Sequence, residues 1–185
     1  LLTGLGDNVM LAWTDGRLVR VHTVQPRNMQ VTGETDLVPE DGHRLTTIAF
    51  QLGKASLITG DDLGRIRVWF RIKDPDADHV DGTSLVLAHA LPPHPAVTTD
   101  LAPSARTRMV AAALADGTIS LYHISSDQRL TEVQVTADGE PVDFLALGPR
   151  DDIMLSLAGG DGQVWRIDAP HPETNWQSLM QRVWY

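Results

Sequence analysis

Apolar and polar positions along the chain recur in one grammar: a hydrophobic strand, a short turn, a second apolar strand, a tight glycine turn and a third strand. Residues 45–72, 96–124 and 141–168 follow it, and a truncated copy occupies residues 8–24. In the second copy, residues 47–50 open the unit and residues 56–59 follow after Gly53-Lys54. Residues 65–70 then alternate charged Arg65 and Arg67 with apolar Ile66 and Val68, a period of two that predicts one wet and one dry face. Residues 17–21, 118–122 and 163–167 alternate likewise. The strands before them, residues 110–114 and 153–157, are almost wholly apolar, as strands covered on both faces are. Asp-Gly at 15–16, 116–117 and 161–162 predicts hairpin turns, because such turns need the positive φ that glycine adopts freely. Fainter outer strands are read at 29–32, 84–88 and 130–136, with loops at 73–82 and 91–95.

The turn glycines Gly16, Gly64, Gly117 and Gly162 are spaced by 48, 53 and 45 residues. One four-stranded propeller blade takes roughly 40–50 residues. The expected fold is therefore all-β: a β-propeller-like array of about four blades, a partial propeller, with a short C-terminal helix. Residues 1–170 form the repeat domain, with repeats near 8–40, 45–90, 96–136 and 141–168, and residues 171–185 form an amphipathic helix or connector. A seven-stranded sandwich or another all-β fold is the alternative. The first copy is expected to lack its inner strand and the last its outer one. Four blades are the lower limit for a closed ring, and open blade edges invite association. A homodimer completing the assembly follows as an expectation. The initial Leu and the shortened first copy lead us to expect a piece of a longer polypeptide.

A formal charge of −9 argues against nucleic acid and against charge-driven docking on anionic lipid. Without cysteine there are no disulfides, thiolate metal sites or thiol nucleophiles. No apolar run of about 18 residues and no basic-then-apolar leader is present in this segment. Asp74, Asp76 and Asp78, with Asp81-Gly82 behind, alternate as in a calcium loop. His79 stands where that loop needs Gly, and Leu85 where it needs Glu, so a solvated acidic loop is expected. His79, His89 and His94 have no ligand spacing and read as loop histidines. Ser104, Ser125 and Ser126 lack a nucleophile elbow, and the Gly-rich 159–162 stretch opens a strand, not a phosphate-cradling helix. Arg65 and Arg67, with Arg17 and Arg20, read as a wet blade face. No catalytic residue, metal ligand or cofactor is expected, and the chain is read as no enzyme.

Gly42-His43, Thr59, Asp62 and Trp69 fall where the WD40-type β-propeller places its Gly-His pair, strand hydroxyl, turn Asp and closing Trp, and the second copy resembles that family most. The resemblance implies that these side chains form a buried hydrogen-bonded brace. The third copy keeps His94 and Asp116 but has Tyr122-His123 in place of Trp-Asp, and the fourth has no Gly-His.

After a breaker at 169–172, Trp176, Leu179, Met180, Val183 and Trp184 recur at helical spacing, with Glu173 near the N-terminus. This stripe reads as a helix over the open end of the last blade, or as a connector whose Trp176, Leu179, Met180, Val183 and Trp184 meet a partner or a membrane interface. The stretch His171-Pro172-Glu173, Trp176, Leu179 and Val183-Trp184-Tyr185 resembles a segment of the large PstC-type permease subunits of bacterial phosphate ABC transporters. That resemblance implies a periplasmic insert of an inner-membrane protein, with an assembly, docking or regulatory role in phosphate uptake. Its implied partners are the transmembrane permease helices of the same polypeptide and a phosphate-binding protein. The alternative is a free-standing WD40-like protein-interaction scaffold.

Overall fold

The computed structural model describes residues 2–3, 10–14, 17–25, 28–38, 42–52, 56–76, 82–137 and 139–167. Four antiparallel sheets follow one another, each with its strands side by side in chain order. The first holds β1 (Leu2–Thr3), β2 (Met10–Thr14), β3 (Arg17–Gln25) and β4 (Asn28–Asp36). The second holds β5 (Leu45–Phe50), β6 (Ser56–Asp61), β7 (Ile66–Lys73) and β8 (Thr83–Ala90). The third holds β9 (Thr98–Pro103), β10 (Met109–Leu114), β11 (Thr118–His123) and β12 (Gln128–Gln134). The fourth has β13 (Phe144–Leu147), β14 (Ile153–Ala158) and β15 (Asp161–Arg166) among the described residues. The all-β, four-unit array expected from the glycine spacing is what forms. Residues 171–185, with the expected helix, lie outside the described residues.

Two expectations need correction. The first sheet does have an inner strand, the two-residue β1 paired to β2 through Leu2↔Leu11 and Thr3↔Met10. The fourth hairpin turns at Gly159-Gly160, not at Asp161-Gly162. The pair Ala158↔Asp161 closes the ladder, and both turn glycines have positive φ, at +55° and +91°. That is the backbone a two-residue turn needs to match strand twist, so Asp161 and Gly162 belong to β15.

Alternation along each strand decides which sheet each side chain meets. In the second sheet Leu57 and Trp69 face back and pack with Leu37, while Ile58, Ile66 and Val68 face forward. The forward set meets Leu101, Val110, Ala112, Tyr122 and Ile124 of the third sheet. On the other face of the third sheet, Met109, Ala111, Ala113, Ile119 and Leu121 meet Val142, Leu145 and Met154. β10 lies between two sheets with every residue buried, and its run of alanines lets both neighbours approach closely. β11 is also buried throughout, so its alternation does not separate a wet from a dry face as expected. Instead Ser120 donates to Glu132 Oε2 at 3.0 Å and Thr118 to Gln134 Oε1 at 2.9 Å, which makes these polar positions compatible with burial.

Candidate interaction surface

In antiparallel sheets joined in chain order, the β6–β7, β10–β11 and β14–β15 turns share one end with the loops that enter β5, β9 and β13. Contacts confirm it. A Cβ on Gly64 would lie 2.0 Å from the His94 carbonyl oxygen, so the β6–β7 turn sits against the loop entering the third sheet. His94 N–H donates to the Gly64 carbonyl at 3.0 Å, and φ of +69° at Gly64 independently requires glycine. The loop entering the fourth sheet meets the β10–β11 turn through Thr136 and the β14–β15 turn through Glu140.

This end is rich in carboxylates. Asp61, only 2% exposed, accepts from the backbone N–H groups of Leu63 and Arg65 at 3.0 and 2.9 Å and from Arg65 Nε at 2.7 Å. Arg67 Nη1 stands 3.7 Å from the same carboxylate. Arg65 and Arg67 therefore do not form the expected wet face; they neutralise a buried acid that ties the turn to its strand. Asp62 is partly exposed and takes Arg44 N–H at 3.2 Å and His43 Nδ1 at 3.3 Å. Asp116 caps its own turn by accepting from Thr118 N–H at 3.0 Å. Glu140 and Asp143 are exposed on the loop into the fourth sheet.

The expected brace of the second copy is split. Trp69 Nε1 donates to Thr59 Oγ1 at 3.0 Å in the interior, but the His43–Asp62 pair sits at the surface. Asp61, one residue earlier than expected, is the buried turn acid. The fourth copy has the same indole bond, Trp165 Nε1 to Ser156 Oγ at 2.9 Å, which the search for Gly-His pairs missed. In both copies the accepting hydroxyl stands two residues nearer the hairpin turn than the residue paired with the strand Trp, a relation that only the register reveals. In the third copy Ala112 and Tyr122 stand at these positions, and alanine offers no acceptor. The Tyr122 hydroxyl is buried without a hydrogen-bond partner. Burial raises its pKa above the usual phenol value; Ser120 and Arg129 oppose that shift, and Glu132 adds to it.

The loop histidines go to the seam between the second and third sheets. His89 Nδ1 pairs with Asp127 Oδ1 at 2.8 Å, its ring edge-on to Phe70. His94 Nδ1 accepts Ala96 N–H at 3.2 Å, and Asp116 and Glu132 carboxylates lie 3.7 Å from its two nitrogens. Each is thus separately engaged, and among the described residues no three His, Cys, Asp or Glu gather to hold a metal ion. Asp74 accepts from Ser84 Oγ at 2.6 Å and from Asp76 N–H at 3.2 Å, so it folds its own loop. Ser104 donates to buried Asp151 at 2.6 Å, and Ser126 pairs with His123 Nδ1 at 2.8 Å. The stripe Trp176, Leu179, Met180, Val183 and Trp184, together with His79 and the side chains of Arg17 and Arg20, lies outside the described residues.

No known protein family matches the sequence, and no curated protein matches it. Solved structures do match. The β-propeller domain of Myceliophteria thermophila Cps50 (Swd1) superimposes with a TM-score of 0.71 at 17% identity, covering 90% of this chain and 52% of that one. A chain of the mitotic checkpoint complex superimposes at 0.66 and 13% identity, covering 94% of this chain and 49% of that one. The fold is a β-propeller-type array of antiparallel sheets. At these identities the likeness concerns fold, and 970 matching chains are too many to single out one role. The chain spans about half the length of these propellers.

Proposed function

We propose that this chain is a non-catalytic docking module, a propeller-type scaffold that holds a protein partner. The observation that carries this reading is the turn end. There, turns locked by close glycine contacts present Asp62, Asp116, Glu140 and Asp143 across three successive sheets. The interior polar groups, Thr59, Asp61 and Ser156, are consumed in holding strands together. Exposed carboxylates on a rigid rim suit a basic partner surface, with association falling as salt rises. Fluorescence anisotropy with Lys/Arg-rich and Asp/Glu-rich peptides tests it. The basic set is expected to bind in a salt-dependent way and to weaken about tenfold with Glu140→Gln/Asp143→Asn. Equal binding of both sets, or no effect of the double variant, overturns the reading.

A second reading places the module as the periplasmic insert of a phosphate permease, docking a phosphate-binding protein. Its support is the resemblance of the stretch from His171 to Tyr185, and nothing in the fold adds to it. The coding sequence on either side of these residues tests it: apolar membrane spans on both sides support the insert, and polar continuation favours the free scaffold.

A further inference from the structure

One imidazole at the turn end is held between two carboxylates. His94 is 7% exposed and stands in the 91–97 loop that enters the third sheet, where no other residue titrates. Asp116 Oδ2 of the β10–β11 turn lies 3.7 Å from its Nδ1, and Glu132 Oε2 of β12 lies 3.7 Å from its Nε2. Glu132 is fixed in that position, because the same Oε2 accepts from Arg129 Nη1 at 2.6 Å and from Ser120 Oγ at 3.0 Å. The β6–β7 turn packs on the loop through the Gly64 carbonyl, and its charged residues are Asp61, Asp62 and Arg65. At the end of β8, before the loop, His89 is paired with Asp127.

The backbone fixes the tautomer. Nδ1 faces the Ala96 N–H at 3.2 Å, and an amide N–H can only donate, so the neutral ring carries its proton on Nε2, toward Glu132. A second proton can enter only at Nδ1. There it would oppose the Ala96 N–H and deprive it of its acceptor. The new Nδ1–H would face Asp116, and a cation between two carboxylates attracts both. Arg129 opposes that attraction, since it already shares Glu132. Ala96 is a sensitive place to lose a bond: a Cβ on Gly64 would lie 2.4 Å from its carbonyl oxygen, so it borders the β6–β7 turn directly.

We propose that His94 is a proton-operated latch on the docking rim. Protonation exchanges the Ala96 bond for charged contacts with Asp116 and Glu132, drawing Asp116 away from a partner and shifting Ala96 at the seam between the second and third sheets. The consequence for binding rests on the docking reading: the rim holds a basic partner less tightly in acid. His43, 3.3 Å from Asp62, can take up a proton at the same rim, so the share due to His94 is the difference between the chain and its His94→Gln variant.

Nitrogen–proton correlation spectra of the imidazole rings in the full chain test the latch itself, the His94 signals being those missing from His94→Gln. At about pH 8 the ring should show the Nε2–H tautomer, and on acidification to about pH 5 the Ala96 amide should move with the same midpoint as the ring. Glu132→Gln should carry that midpoint to lower pH, since one of the two flanking carboxylates loses its charge. An Nδ1–H tautomer, an Ala96 amide that ignores the ring, or a midpoint unmoved by Glu132→Gln each overturns the latch. Its consequence is read by fluorescence anisotropy with a Lys/Arg-rich peptide that lacks histidine. Between the same two pH values, affinity should fall at least about fivefold further for the unaltered chain than for His94→Gln, with unchanged circular dichroism. Equal losses overturn the link to docking. Absence of binding at every pH overturns the docking reading instead, and the spectra alone then decide the latch.

Discussion

Replacing Thr59 by Val isolates the bond that ties β6 to β7 inside the second sheet. The side chain keeps its shape and loses one hydroxyl, which accepts from Trp69 Nε1 at 3.0 Å and donates to the Arg67 carbonyl at 3.4 Å. Both Thr59 and Trp69 are buried, so the indole N–H is left with no partner, at a cost of about 1–3 kcal/mol. The Arg67 carbonyl loses only a long bond within a ladder where it already faces Thr59. The added methyl returns at most about 0.8 kcal/mol. A net loss of about 1–2 kcal/mol is therefore expected, read as a lower urea midpoint at constant m-value. Trp69→Phe removes the donor instead. Combining the two variants should give a coupling of about 1 kcal/mol, because the second change then has no bond left to break. If the two losses add to within about 0.3 kcal/mol, the indole bond contributes nothing and the brace reading is wrong.

Gly64→Ala should destabilise by more than about 2 kcal/mol, since φ is +69° and the new Cβ meets the His94 carbonyl. Gly160→Ala, with positive φ but open space, should cost about 1 kcal/mol; equal effects in thermal melts would contradict the proposed inter-sheet contact. Asp151→Ala should cost about 2–3 kcal/mol by orphaning Ser104 and Thr107, which bond its carboxylate at 2.6 and 2.9 Å, and Ser104→Ala/Asp151→Ala should cost less than the sum of the single losses. Tyr122 is the remaining phenol in a Tyr185→Phe background, and ultraviolet titration should find it ionising above the usual value. Because its folded pKa is raised, the unfolded chain loses that proton first as pH climbs past about 10, so stability should fall there. Tyr122→Phe should remove that part of the decline, and an unchanged slope would refute the assignment.

Period and turn chemistry made the architecture readable. Glycine spacing marked four units, and the apolar runs at 110–114 and 153–157 marked the inner strands that β10 and β14 became. Faces were harder. Val164 alternates correctly yet is exposed, because no sheet among the described residues covers its face, whereas Ser120 is polar yet buried, because Glu132 lies across the ladder from it. Arg65 and Arg67 looked like solvent positions, and only the folded turn brings Asp61 to them. The WD40-like motif located Thr59 and Trp69 but placed the buried acid one residue late. It also passed over Ser156–Trp165, whose partners need register to be seen. Two adjacent glycines outcompeted Asp-Gly at the fourth turn, since both central positions require positive φ.

The central claim is that β10 is the inner strand of a sheet held between two others, in a stack of propeller-type units. Native-state hydrogen exchange read residue by residue tests it most directly. Amides of Met109–Leu114 should exchange only by global unfolding, at least ~100-fold slower than those of the exposed Ala105–Arg106 loop beside them. Loop-like exchange throughout β10 would contradict the arrangement, because a strand without a sheet on either face has no such protection.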